Sequence, residues 1–353
     1  MKAEICVIII FSSWQKNQKP LICILNYLWR KKMHILVIGG AGYIGSHVVK
    51  ALVGAKHKVT VFDNLSTGLE MNLFPENGFI KADILDYDAV KKALQNKVDA
   101  VVHLAAKKAV GESMEKPEKY ALNNICGTLN ILNAMAETGV NKLVFSSSAA
   151  VYGNPEYLPI DEKHPVNPVS FYGFTKLDIE NYMRWYGQLK GLRFVSLRYF
   201  NAVGYDEEGI VRGLEKNPQN LLPIVMEALL GKRSKVQIFG NDYDTRDGTC
   251  IRDYIHVSDL ASAHVSALEY MAKGGESQIL NLGTETGISV LEMIKATEAA
   301  TGCKVPYEFA GRRAGDPAVI LATPAKAHEI LGWKAVHSSV DNIIKSTWKA
   351  YNA

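Results

Sequence analysis

The apolar run His34 to Ile38 passes directly into Gly39-Gly40-Ala41-Gly42-Tyr43-Ile44-Gly45, and an amphipathic stretch from Ser46 to Gly54 follows. A strand that ends in Gly-x-x-Gly-x-x-Gly and opens a helix leaves a chain few choices of fold. The glycines permit a tight turn, let the backbone approach a pyrophosphate and let helix and strand pack closely. The helix N-terminus then favours an anion. A glycine string alone is a weak signal, because a purely structural turn has the same spelling. Context strengthens it: Asp63 ends the second apolar run about 20 residues downstream, where a carboxylate accepts hydrogen bonds from an adenosine ribose. Asp63-Asn64 favours NAD over NADP, since the acid repels a 2′-phosphate and no arginine adjoins it. Asp83-Ile84, after the third run, is placed to hold the adenine edge, although an Asp at a strand end is also a common cap.

From Met33 onward, short apolar runs alternate with helical patterns, the signature of a parallel sheet with crossover helices. The expected strands are His34 to Ile38, Lys58 to Phe62, Phe79 to Ala82, Ala100 to Ala105, Lys142 to Ser146 and Arg193 to Tyr199. The expected helices are Ser46 to Gly54, Tyr87 to Gln95, Gly127 to Thr138 and Gly173 to Leu189. This describes an α/β fold, a Rossmann-type doubly wound sheet over 33–203. Residues 204–353 read as a smaller, mixed α/β substrate lobe, with helices at Leu221 to Leu230, Ser258 to Met271 and Val290 to Thr301 and a strand at Val236 to Phe239. Ile279 to Leu282 could return to the main sheet as an added strand, so 251–283 need not belong to that lobe.

Length and composition set outer bounds. At 353 residues the chain can bury a large core in one two-lobed unit or two domains. A hydrophobic content of 48% and a net charge of +4 call for neither nucleic acid nor membrane. The five cysteines are scattered without a Cys-x-x-Cys pair, which fits a reducing cytoplasm, and no histidine spacing suggests a metal site. Residues 1–32 carry two apolar runs too short to span a membrane and lack a clear signal-peptide cleavage site. They are expected to be a disordered or non-native extension, with translation beginning at Met33.

Tyr172 and Lys176 stand four apart in Tyr-Gly-Phe-Thr-Lys. On a helix such side chains lie about 5–6 Å from each other, so an ammonium beside the phenol favours its ionised form. Ser146-Ser147-Ser148 closes a strand upstream, and one of these hydroxyls can relay a substrate proton to the tyrosine. Tyr-x-x-x-Lys is frequent by chance; behind a complete dinucleotide half it becomes a catalytic expectation.

These residues, with further strings, carry a resemblance. Gly-Gly-Ala-Gly-Tyr-Ile-Gly-Ser (39–46), Lys-Ala-Val-Gly-Glu-Ser (108–113), Ser-Ser-Ser-Ala-Ala-Val-Tyr-Gly (146–153), Leu-Arg-Tyr-Phe-Asn (197–201), Ile-Phe-Gly-Asn-Asp-Tyr (238–243) and Arg-Asp-Tyr-Ile-His-Val (252–257) are the main ones. From Met33 to Tyr351 the chain resembles the extended short-chain dehydrogenase/reductases and, within them, the UDP-glucose 4-epimerase family. One departure is Ile38, where that family usually has threonine. The resemblance implies a catalytic set of Ser148, Tyr172 and Lys176, and a cofactor site lined also by Leu104, Ala105, Ala106, Lys108 and Asn123. It implies that Phe200, Asn201, Asn220, Leu221, Gln237, Phe239, Arg252, Arg313 and Asp316 hold the nucleotide sugar. Arg252 and Arg313 can grip a diphosphate through fork-like contacts.

The implied reaction is NAD-dependent inversion at C4 of a UDP-hexose, the UDP-glucose/UDP-galactose pair, through a 4-keto intermediate. Tyr172 acts as base, Lys176 tunes it and Ser148 relays the proton. UDP-N-acetylglucosamine or a UDP-pentose is the alternative substrate, and Ile320, intermediate in bulk at the position that admits or blocks an N-acetyl group, leans toward the non-acetylated pair. A nucleotide-sugar 4,6-dehydratase would need an acid pair where Ser148-Ala149-Ala150 offers none, and a non-catalytic NAD sensor would have no need of all three catalytic residues. The family is commonly homodimeric, and Asn124 to Glu137 and Leu177 to Gln188 are the candidate interface helices.

Overall fold

Strand β1 (His34–Ile38) is buried along its whole length, as expected of a strand covered on both faces by crossover helices. The chain alternates around it: α1 (Tyr43–Gly54), β2 (Lys58–Asp63), β3 (Gly78–Lys81), α2 (Tyr87–Leu94), β4 (Ala100–His103), α3 (Val110–Glu115), α4 (Gly127–Thr138), β5 (Lys142–Ser146), α5 (Phe171–Lys190) and β6 (Arg193–Tyr199). There follow β7 (Asn201–Val203), α6 (Leu221–Leu229), β8 (Val236–Phe239), β9 (Ile251–His256), α7 (Val257–Ala272), β10 (Gln278–Leu282), β11 (Gly287–Ser289), α8 (Val290–Thr301), β12 (Tyr307–Ala310), β13 (Val319–Ile320), α9 (Ala325–Leu331) and α10 (Val340–Tyr351). This computed structural model describes residues 32–353 except Asn217 and Ala314. The extension read at the N-terminus therefore lies, apart from Lys32, outside the described residues, as do Cys6 and Cys23.

Seven parallel strands form one sheet in the order β10-β6-β5-β4-β1-β2-β3, the doubly wound Rossmann-type arrangement expected. Because side chains alternate along a strand, β1 sends Ile35 and Val37 into a core shared with Val48 and Val49 of α1 and Leu260, Ala263 and Leu268 of α7. Leu36 and Ile38 enter the opposite core, with Val90 of α2, Ile131 and Met135 of α4 and Ile179 and Met183 of α5. Helix α7 and strand β10 thus belong to the large sheet although they follow the first elements of the smaller lobe. That lobe centres on β9, which pairs with β11, β13 and β7, beside a parallel pair of β8 and β12.

Several boundaries differ from the sequence reading for local reasons. Helix α1 begins at Tyr43 rather than Ser46, because the chain is already helical after the extended Gly42. Strand β4 stops at His103 rather than Ala105, because the amides of Leu104 and Ala105 both donate to the Ile38 carbonyl and leave the ladder. Strands β7, β11 and β13, only two or three residues long, were not expected at all.

The C-terminal segment meets α7 through the Trp333 indole, which donates to the Asp259 carbonyl (3.0 Å), and through the Asp259 carboxylate. Asp259, fully buried, accepts from the amides of Val336 (2.9 Å) and His337 (2.9 Å) and from the Ser338 hydroxyl (2.6 Å). Removing it takes the partner from three donors at once. Asp259→Ala is expected to cost about 3 kcal/mol of stability, read as a lower urea midpoint; a change within about 0.5 kcal/mol would show that water replaces the carboxylate.

Candidate active site

The glycine turn sits between β1 and α1, and its shape is set by close backbone approaches. A Cβ on Gly45 would lie 2.0 Å from the Gly39 carbonyl oxygen, so only glycine lets the first helical turn rest on the loop. Gly42 is extended just before α1, and no side chain caps the helix. The first-turn amides of Tyr43, Ile44 and Gly45 are left by helix geometry to face outward, which makes this end a seat for an anion. The tie from Leu104 and Ala105 to Ile38 holds the 104–106 segment beside the turn, while the Ile38 side chain packs wholly into the core. Isoleucine here is a packing residue.

Asp63 ends β2 and accepts from Ala41 N (3.0 Å) and Leu65 N (2.8 Å). Burial pushes its carboxyl above the usual range, and the two amides pull it back. Asn64 donates to Asp83 (2.7 Å), which also takes the Leu85 amide (2.9 Å). The Ile84 side chain is buried, leaving its backbone as the part that can meet a ligand. A glycine-rich turn, an uncapped helix end and an acid at the next strand end fit a dinucleotide. Lys108 is exposed and ion-paired with Glu215, and the Asn123 amide donates to Asn124 (3.0 Å).

The catalytic candidates converge through α5. Ser170 caps that helix by accepting the Gly173 amide (3.1 Å). A Cβ on Gly173 would lie 2.3 Å from the Ala150 carbonyl oxygen, so glycine permits α5 to press against the segment after β5. That approach sets the Tyr172 phenol within hydrogen-bonding reach of Ser148. One turn on, Lys176 is 3% exposed; its Nζ donates to the Ser146 carbonyl (2.7 Å) and lies 4.7 Å from the Phe145 ring centroid and 5.8 Å from that of Tyr172.

The charge balance differs from the sequence expectation. Burial raises the Tyr172 phenol above its ordinary value, and the Ser148 hydrogen bond only partly offsets this. Lys176 is pushed down to about 7 by burial, with Glu180 opposing the fall. Proximity alone therefore does not make a phenolate: desolvation penalises both charged forms. His103, behind the lysine, is driven to about 3 by burial and by Lys176, and its Nε2 bonds the Thr128 hydroxyl (2.9 Å).

The residues implied for the sugar nucleotide gather mainly around β9. Asn201 donates to the Asp253 carbonyl (2.9 Å). Arg252 stands opposite Ile320 in the β9–β13 register, and its Nη2 meets Asp316 at 2.5 Å. Phe200 and Ile320 both pack on the cluster of Val151, Tyr152 and Ile160, just after Ser148. This links the smaller lobe to the catalytic loop. Arg313 stacks on Phe239, 3.7 Å from its centroid, and Gln237 is exposed on the same strand. Asn220 and Leu221 stand at the start of α6 without a side-chain cap. Among the described residues no three metal-ligating side chains converge.

Three buried groups escaped the sequence reading. Asn124 clasps the backbone of Lys107 through both its amide atoms (2.8 and 3.0 Å), from a π-helical turn at Ala121–Cys126; such turns are frequent at functional sites. Glu180 and Arg198 form an ion pair shut away from solvent. Spacing held a clue to one of them, since Glu180 lies four residues after Lys176 and eight after Tyr172, on one helical face.

Comparison with known proteins gives this geometry a family. The family model described as "NAD dependent epimerase/dehydratase family" matches residues 35–283. A UDP-glucose 4-epimerase of Lacticaseibacillus casei is 44% identical over 318 residues, covering 90% of this chain and 96% of that protein. The crystal structure of UDP-glucose 4-epimerase from Brucella ovis in complex with NAD aligns with a TM-score of 0.88 at 43% identity, over 90% of this chain and 98% of that one. The enzyme from Bifidobacterium longum, in complex with NAD+ and UDP, aligns at 0.85 and 38%, over 90% and 98%. With the glycine turn, the Asp63 acid and the Ser148, Tyr172 and Lys176 cluster inside the matched span, the chain belongs to the NAD-dependent epimerase/dehydratase family.

Proposed function

We propose that Ser148, Tyr172 and Lys176 carry an NAD-dependent inversion at C4 of a UDP-hexose, the UDP-glucose/UDP-galactose interconversion. The observation that supports these roles is the close seating of α5 at Gly173 against the Ala150 carbonyl, with the Lys176 ammonium on the Ser146 carbonyl and the Tyr172 phenol near Ser148, at the end of a strand two places from the glycine turn's. When bound, NAD supplies the two-electron acceptor and donor that lets C4 pass to the ketone and back. Tyr172 takes the C4 hydroxyl proton, directly or through Ser148, and returns it after the ketone has presented its other face. Lys176 holds the positive charge that the phenolate needs. Arg252 and Arg313 anchor the diphosphate so that the sugar alone turns. Asn201, Asn220, Leu221, Gln237, Phe239 and Asp316 hold the rest of the nucleotide sugar, and Gly39, Asp63, Asn64, Asp83, Leu104, Ala105, Ala106, Lys108 and Asn123 line the cofactor.

Ile320, packed against the cluster after Ser148, narrows the hexose end of the pocket and favours the non-acetylated pair. The smaller lobe, 204–353 apart from α7 and β10, is read as the substrate-holding part. No helix among the described residues is long and apolar enough to cross a membrane. Cys126, Cys250 and Cys303 are free thiols, which fits a reducing compartment, read here as the cytoplasm. A second copy is assigned to the face of α5 on which Phe174, Trp185 and Leu189 are exposed, with Leu122 beside it; an apolar row of this kind is unusual for a lone soluble helix.

Tyr172→Phe is expected to lower turnover of UDP-galactose by about 10³-fold while NAD stays bound, measured by product analysis and by NAD released on denaturation. Near-normal epimerisation would remove Tyr172 from the mechanism. The same assay with UDP-N-acetylgalactosamine should be at least about 10-fold slower for the parent; equal rates would reject Ile320 as a barrier.

Lys176 also makes stability depend on pH. Its ammonium is ordinarily near 10.5 and falls to about 7 in the folded, dinucleotide-free protein. Across that window the unfolded chain holds a proton that the folded chain has lost, so this group adds stability as pH rises and withdraws it as pH falls toward 7. The urea midpoint of dinucleotide-free protein should rise from about pH 7 to about pH 9, with a smaller slope in Lys176→Met. Identical slopes would mean that the ammonium stays charged on folding.

For the proposed dimer, sedimentation should give a dimer for the parent and a monomer for Trp185→Glu/Leu189→Glu. A monomeric parent would refute that assignment.

A further inference from the structure

We infer that Glu180, paired with Arg198, is a positioning residue that sets the catalytic helix against the serine end of β5. The inference rests on the proposed roles of Ser148, Tyr172 and Lys176 and adds to them the group that holds their geometry. Glu180 is fully buried and Arg198 is 2% exposed. The Oε1 atom of Glu180 accepts from the hydroxyls of Ser147 (2.7 Å) and Ser196 (2.8 Å) and from Arg198 Nε (3.0 Å), while Oε2 accepts from Arg198 Nη2 (2.5 Å). One carboxylate therefore ties α5 to the residue after β5 and to the middle and C-terminal part of β6 at Ser196 and Arg198.

The residues it ties are neighbours of the reacting groups. Ser147 stands between Ser146, whose carbonyl takes the Lys176 ammonium, and Ser148, which meets the Tyr172 phenol. Tyr172, Lys176 and Glu180 follow one another at four-residue spacing on α5. Rotation or sliding of the helix would carry Tyr172 and Lys176 off the serines, and the Glu180 contacts resist both movements. Arg198 is itself held in place, its guanidinium stacked 4.8 Å from the Tyr152 ring centroid, and Tyr152 bonds Asn281 (2.6 Å).

Stability alone is a poor account of this pair. Taking two charges out of water is costly, and well-packed apolar replacements of buried pairs are often neutral or stabilising. What an apolar pair cannot supply is direction: four donors fix where the carboxylate, and with it the helix face, must lie. Misplacing a reacting group by about 1 Å can cost about 10²-fold in rate.

The test uses NAD-loaded enzyme. Glu180→Gln keeps the shape but leaves Arg198 buried without a counter-charge. The double variant Glu180→Gln/Arg198→Met removes both charges and keeps an oxygen for the two serines. The double variant is expected to fold and retain NAD, with kcat for UDP-galactose lowered about 10- to 100-fold and KM within about threefold of the parent, because the anchoring arginines are untouched. Glu180→Gln alone should show the same split where it folds. A kcat per NAD-loaded molecule within twofold of the parent in the double variant overturns the inference, and so does failure of both variants to fold, which would make the pair a requirement of the fold rather than of the site. Tyr172→Phe run in parallel separates the two readings. If it is inactive and the double variant is normal, only the positioning role falls; if it is active, the catalytic assignment falls first.

Discussion

A parallel sheet buried on both faces is the constraint from which the rest of the molecule follows. Its inner strands have no polar side to give to water, so helices must cover each face and every connection must cross from one end of a strand to the start of the next. Loops then collect at the carboxyl edge, where ligands meet open α/β sheets. The glycine turn after β1, Asp63 after β2, the 104–106 segment after β4 and Ser146–Ser148 at the end of β5 all lie there. Their neighbourhood needs no special mechanism beyond the sheet itself.

What the sheet does not supply is orientation, and here burial does the selecting. Lys176, His103, Glu180 and Arg198 are all shielded from solvent within a few side chains of one another. In so dry a setting a charge survives only where a partner or a hydrogen bond holds it. Glu180 and Arg198 satisfy each other, whereas Lys176 has a carbonyl and two aromatic rings, and its proton is loosened accordingly. The same desolvation that weakens the ammonium also raises Tyr172. Burial thus favours the uncharged form of both groups, and the lysine, pushed down to about 7, is the one whose proton is loosened.

The sequence announced what depends on local spacing. Glycines at 39, 42 and 45, an acid at the next strand end, a tyrosine and lysine one turn apart and a serine run at a strand end are all contiguous signals, and each takes its place at the carboxyl edge of the sheet. Contacts that join distant segments stayed hidden. Nothing in the order of residues says that Ser196 and Arg198 will meet Glu180, that Asn124 will clasp Lys107, or that two-residue β13 will stand beside β9. Those are outcomes of packing, and short strands such as β7, β11 and β13 owe their existence to the partner they find. The effect of burial on the tyrosine stays hidden for the same reason: proximity can be read from i to i+4, but desolvation cannot.

The substrate side obeys a related logic. Arg252 is held by Asp316 and by the carbonyls of Ile251 and Ala318 (2.8 and 3.3 Å), so protein contacts fix its guanidinium. On the proposed reading, a diphosphate must draw on an arginine whose carboxylate partner is half-buried, and it gains little unless Asp316 finds another donor. The ribose hydroxyls of a nucleotide are such donors. An anion without a ribose would leave Asp316 facing the new negative charge, and a nucleotide would relieve it. On that reading the pair would convert a general affinity for phosphate into a preference for the whole nucleotide diphosphate, using one acid that by itself repels the group its neighbour attracts.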